Sequence, residues 1–200
     1  MSPTNGRSFT REVIETVALA VFLVLLIQSS VQNYRVEGPS MEPLFLGGDR
    51  VVVSKIGYTE IDAEHAARYL PTVDADADQL WAPFGDPQRG DVIVFRWPRD
   101  ERQNFVKRII GTAGDTIRIE LGKVFVNGEP LDEPYLEYTL RQTLNDHVVD
   151  PDSYYVMGDN RPQSDDSRHW GDVPKENVVG KVKITYWPFN RFSFLNFSAS

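Results

Sequence analysis

A series of short runs alternates apolar and polar residues with a period nearer two than 3.6, and this pattern restricts the chain to a β-rich body. "RVVVSKI" (50–56), "DVIVFRW" (91–97), "FVKRII" (105–110), "TIRIEL" (116–121) and "KVFVNG" (123–128) all have it. "YYVMGD" (154–159) and "VVGKVKITYWPF" (178–189) read as strands as well. "ELGKV" predicts a hairpin turn at Gly122. Glycine and proline punctuate the rest in "GDPQRGD", "GTAGD" and "GDNRP". Helical heptads and internal repeats are absent, so the expected body is mostly β. Two stretches depart from the pattern. Residues 59–82 are rich in Ala and Asp, and residues 129–152 form a long excursion with little periodicity.

Ahead of this body the chain is uncharged from Thr16 to Tyr34, with an apolar centre "VALAVFLVLLI" at Val17–Ile27. A spanning helix needs about 20 mostly apolar residues. With Val13, Ile14 and the uncharged residues up to Asn33, the stretch reaches that length. A cleaved signal peptide is the competing assignment. Glu12 and Glu15 suit its basic leading region poorly, and "QSSVQNY" lacks a clean small-x-small site. The expectation is therefore a tail at 1–12, a membrane helix at 13–33 and a body at 34–200. Arg7 and Arg11 precede the span and Arg35 follows it. That bias favours an inner amino terminus, with the body on the outer face of the membrane.

Charge and composition exclude several classes of function. The net charge is −8, and residues 1–35 hold three Arg against two Glu, so the remainder, 36–200, carries −9. Such a surface is ill suited to nucleic acid, whose phosphates need clustered Lys and Arg. Without cysteine there are no disulfides, thiol catalysis or Cys-ligated zinc. His65, His147 and His169 are scattered, and no zinc-hydrolase, G-x-S-x-G or phosphate-loop signature occurs.

Three stretches could carry chemistry. In "VEGPSMEP" (36–43), Ser40 stands between Pro39 and Pro43, which predicts a constrained, extended backbone. A bland turn and a nucleophile both fit. In "NFVKRIIGTAGD" (104–115), Lys107 and Arg108 point to opposite faces of a strand, so one of them faces the more buried side. Burial lowers a lysine pKa, and a neutral amine can act as a general base, whereas arginine stays protonated. An edge-strand lysine in solvent is the bland alternative. The loop "GDNRPQSDDSRHWGD" (158–172) holds Ser164, Ser167, Asp159, Asp165, Asp166, Asp172, Arg161 and Arg168. Its spacing does not match a calcium loop. Arg–Asp pairs that shape the loop, or a hydroxyl delivered to orient a base, both fit. A Ser–His–Asp site through His169 is a weaker fit than Ser–Lys.

Taken in order, these stretches resemble the bacterial type I signal peptidases, membrane-anchored Ser–Lys proteases. "GPSMEP" resembles the family's nucleophile box and "GDRVVVSK" the strand after it. "RGDVIVF", "FVKRIIGTAGD" and "GDNRPQSDDSRHWG" resemble the later boxes. The resemblance implies a body of antiparallel sheets that needs no cofactor and no metal. Its substrates would be exported preproteins, cut after small residues at the membrane surface. It implies Ser40 as nucleophile, Lys107 as general base and Ser164 as the hydroxyl that orients the lysine. Asp166, Arg168 and Asp159 would shape the site, and Val36, Met41 and Val106 would line small pockets. Some relatives carry a second serine where this chain has Gly38. Pro39 has no N–H, so the oxyanion hole would rest on the Ser40 N–H and on what Gly38 lets approach. Three rivals remain: a self-cleaving Ser–Lys regulator, which would need a DNA-binding amino terminus; a catalytically silent anchored relative; and an exported β-domain with a removable leader.

Overall fold

The computed structural model describes residues 11–22, 31–55 and 86–195. The expected 59–82 insertion falls outside these residues. So does the part of the expected membrane span between residues 22 and 31. Within the described part of that span, residues 11–22 form helix α1. It exposes Val13, Ile14, Val17, Leu19, Val21 and Phe22, and Arg11 pairs with Glu15 one turn on. Among the described residues, no helix is long and apolar enough to cross a membrane. Residues 31–33, counted in the expected span, belong instead to strand β1 (Val31–Arg35).

The body is mostly antiparallel β. The larger sheet runs β1, β2 (Arg50–Ser54), β11 (Val178–Trp187), β3 (Val92–Trp97), β4 (Asp100–Thr112), β9 (Ser153–Met157) and β10 (Val173–Pro174). Strand β12 (Ser193–Phe194) pairs with β11 off this path. Alternation explains the strands. In β2, Val51 and Val53 are buried while Val52 is only partly so, the period-two signature of a strand with one face on a core. They pack with Val36, Met41, Phe45, Val92, Val94, Val182 and Leu195. A second cluster joins Ile93, Phe95, Ile109, Tyr154 and Val156.

The smaller sheet runs β7 (Glu129–Pro130), β6 (Lys123–Val126), β5 (Thr116–Glu120) and β8 (Leu144–Val148). The β5–β6 hairpin is the one expected at Gly122. Leu121 and Gly122 both take positive φ, 49° and 92°, the handedness a two-residue hairpin turn requires. Residues 129–152 are not the unstructured excursion their sequence suggests. They supply β7 and β8, and β8 pairs with β5 through Thr116↔Val148 and Ile117↔His147. The burial of β8 does not alternate cleanly, so its pairing rests on backbone hydrogen bonds that leave little trace in the side chains.

Candidate active site

Ser40 sits on the loop between β1 and β2. The loop closes at its base, where Val36 N donates to Asp49 O (2.8 Å) and Gly48 N to Val36 O (2.9 Å). Residues 40–44 form a turn, with Glu42 N on Pro39 O (3.1 Å) and Phe45 N on Met41 O (2.9 Å). The prolines therefore bracket a turn rather than the extended run expected from them. A helical-type i to i+4 bond carries the chain directly down into the core. Met41 and Phe45 are 1% and 0% exposed, so the turn is nailed down just past Ser40. Gly38 takes φ +80° with open space around it. A side chain there meets backbone strain rather than crowding.

Lys107 comes from β4, beside Ile93 of β3. Its Nζ lies 2.9 Å from Ser40 Oγ and donates to Val106 O at 3.1 Å. The residue is 4% exposed. Burial pushes its pKa down to about 8, against the pull of Asp166, Asp165 and Asp159 and with help from Arg168. The alternation of β4 predicts that Lys107 or Arg108 turns inward. The structure buries both, Arg108 being 3% exposed, because a second layer covers the far face of the strand.

The polar loop after β9 supplies the acids. Asp166 is fully buried and caps helix α2 (Ser167–Trp170). It accepts two bonds from the Arg168 guanidinium (2.7 and 2.8 Å), one from Ser164 Oγ (2.7 Å) and one from Gly158 N (3.0 Å). Burial raises its carboxyl, but the Arg168 hydrogen bonds and charge, with Ser164 and Gly158, hold it below the usual carboxylate range. Ser164 thus spends its proton on Asp166. Among the described residues, the hydrogen bonds of Lys107 run to Ser40 and Val106, and none joins it to Ser164. Asp159 forms a buried fork with Arg108, at 2.8 and 2.7 Å. There burial raises the acid more than its partners lower it.

Three further contacts escape sequence reasoning. Asn160 N donates to Ser40 O (3.1 Å), tying the two loops together. Gly158 lies where a Cβ would overlap Ser164 Oγ and Ser40 O, so only glycine lets the strand end approach both. Glu133 binds the Arg161 guanidinium and accepts from Tyr135 OH, and the Tyr135 ring lies 3.9 Å from Arg108. Two adjacent cations in a strand flanked by apolar residues were the one available hint of a buried ionic layer.

Beside Ser40 and Lys107 opens a cleft of about 580 Å³, lined by Val36, Gly38, Pro39, Phe105, Val106 and Asp165 among others. Of the three residues named for small pockets, Val36 and Val106 line this cleft. Met41 does not line the cleft and belongs to the core. Among the described residues no group of His, Asp or Glu is placed to hold a metal ion.

The family model "Signal peptidase, peptidase S26" matches residues 10–187. The chain belongs to the signal peptidase S26 family. It is 35% identical to a signal peptidase I of Leptolyngbya laminosa, over 92% of this chain and 83% of that one. It is 33% identical to the signal peptidase I of Pseudomonas aeruginosa, over 89% and 74%. A signal peptidase I structure from Enterococcus faecalis is 37% identical, covering 48% of this chain and 96% of that chain, at a TM-score of 0.44. Signal peptidases of this family are membrane-associated serine endopeptidases that remove signal peptides, and this chain shares that activity.

Proposed function

We propose that signal-peptide removal here runs on Ser40 as nucleophile and Lys107 as its general base, cutting exported preproteins after small residues. The observation that carries this is the 2.9 Å approach of Lys107 Nζ to Ser40 Oγ, made by an amine whose burial brings its pKa to about 8. Neutral Lys107 takes the Oγ proton as Oγ attacks the scissile carbonyl. The tetrahedral intermediate collapses, the C–N bond breaks, and the Lys107 ammonium returns its proton to the leaving amine. Water, deprotonated by the same amine, then hydrolyses the ester and frees the signal peptide. The backbone N–H of Ser40 donates to no protein acceptor among the described residues, which suits it to the oxyanion.

Asp166, Arg168 and Asp159 shape the site around the base, with Ser164 held on Asp166 rather than on the amine. Asp166, Asp165 and Asp159 oppose the fall in the Lys107 pKa that burial causes. Val36 and Val106, at the cleft beside the dyad, are the candidates for admitting small side chains only. The uncharged stretch after Arg7 and Arg11 supports a single anchoring helix with an inner amino terminus and the body on the outer face.

The test is cleavage of a purified preprotein by the full chain in detergent, beside Ser40→Ala. The wild type should cut after a small residue, and Ser40→Ala should lose about 10³-fold or more of the rate. A Ser40→Ala protein that cuts at the parent rate sinks the nucleophile assignment.

A further inference from the structure

The two reacting groups sit on different supports. Lys107 is fixed by a long strand inside a sheet, whereas Ser40 is carried by a loop. The 2.9 Å separation therefore holds only while that loop stays in register with β4. On one side Asn160 N holds Ser40 O. On the other side the loop is held from outside the sequence boxes, by a residue beyond the 10–187 stretch that the family model matches.

That residue is Arg191. It ends the 3₁₀ turn Phe189–Arg191 that follows β11, and its own N–H donates to Pro188 O at 2.9 Å. Its guanidinium reaches three acceptors on the Ser40 loop. Nε donates to Asp49 Oδ2 at 3.1 Å, and Nη2 donates to Pro43 O at 3.3 Å and Leu44 O at 3.1 Å. Asp49 is 2% exposed, and the same Oδ2 accepts from Leu46 N at 2.9 Å. One cation thus joins the descending limb of the turn, three and four residues past Ser40, to the carboxylate at the loop's end. The planar guanidinium suits this because its donors diverge in a fixed fork; a lysine ammonium lacks that fork. The turn bearing Arg191 is itself fixed. Leu195 N donates to Lys183 O (2.8 Å), and Leu195 packs in the same core as Met41 and Phe45. Arg191 does not line the cleft beside the dyad.

We infer that Arg191, with Asp49, is a positioning residue that fixes the height of Ser40 opposite Lys107. The inference rests on the Ser40–Lys107 assignment. Without the clamp, substrate still binds a cleft built by β4 and the loop's stem, but Oγ spends less time within reach of the amine. Displacements of about an ångström in a reacting pair cost up to about 10²-fold in rate.

The experiment measures kcat and KM on a preprotein for the full-length wild type, Arg191→Ala, Arg191→Lys, Ser40→Ala and the surface control Arg118→Ala, with Tm recorded for each. Arg191→Ala is expected to lose roughly 10- to 100-fold in kcat. Its KM should stay within about twofold and its Tm above the assay temperature; millimolar guanidinium should restore part of kcat, and equal urea should not. Arg191→Lys keeps the charge beside Asp49 and should fall between Arg191→Ala and the wild type, which keeps the test decisive should Arg191→Ala fold poorly. A kcat within twofold of wild type in folded Arg191→Lys and Arg191→Ala overturns the clamp. So does a loss that merely follows the folded fraction and is not rescued by guanidinium. If Ser40→Ala is inert while the Arg191 variants are normal, only the clamp fails. If Ser40→Ala is active, the assignment beneath it fails too.

Discussion

At the scale of single residues, Lys107 is where stability and chemistry conflict. Its pKa is held at about 8 in the fold, against an ordinary value of 10.5. Below pH 8 both folded and unfolded chains carry the proton, and the fold bears the cost of burying a charge, up to about 3 kcal/mol for a shift of this size. Between pH 8 and 10.5 the unfolded chain binds more protons than the folded one, so this cost is relieved as pH rises. Lys107→Met fills a similar volume without charge. It is expected to melt at or above the wild-type temperature at pH 7, with the gap narrowing towards pH 9.5. A Tm several degrees lower at pH 7 would mean that the buried ammonium is well compensated. That Ser40 meets Lys107 and Asp166 meets Arg168 was foreshadowed by the ordered boxes that resemble the signal peptidases. Arg191 was not, because an arginine that binds backbone carbonyls leaves no recognisable partner in the sequence.

At the scale of elements, the site is a meeting of three pieces: the Ser40 loop, β4 and the end of β9 with the loop that follows. The strands were readable wherever one face is buried, as in β2, β5 and β6. They were unreadable in β8, which buries no residue fully and does not alternate cleanly. Strand β4 hid a buried Arg108 because the acids that neutralise it and its neighbours, Asp159 and Glu133, come from distant segments. Gly158 is the tightest joint of the three, since a Cβ there overlaps both Ser164 and the Ser40 carbonyl. Gly158→Ala should cost about 1–3 kcal/mol through overpacking. Because the displaced atoms belong to the site, it should also lower kcat by roughly tenfold or more. Paired thermal melts and steady-state rates check this. A variant as stable and as active as the parent would show that the joint has room.

At the scale of the whole molecule, a net charge of −8 and a mostly antiparallel body offer little to a membrane surface. The uncharged stretch from Thr16 to Tyr34 is the part that suits lipid. The described residues include only a portion of it, as α1 and the start of β1. Confining enzyme and signal peptide to one surface raises their effective concentration. Full-length protein and preprotein reconstituted in the same vesicles should therefore react about 10²-fold faster than the same amounts in separate vesicles. Equal rates in the two arrangements would remove the anchor from the account.

The central claim is that Lys107 acts as a neutral base on Ser40, and the pH dependence of kcat/KM for the full chain on a soluble preprotein tests it most directly. The amine must lose its proton to act, so the rate should climb through a midpoint near 8 and level off above it. A rate that is flat from pH 6 to 9.5, or that falls through this range, would contradict a lysine base.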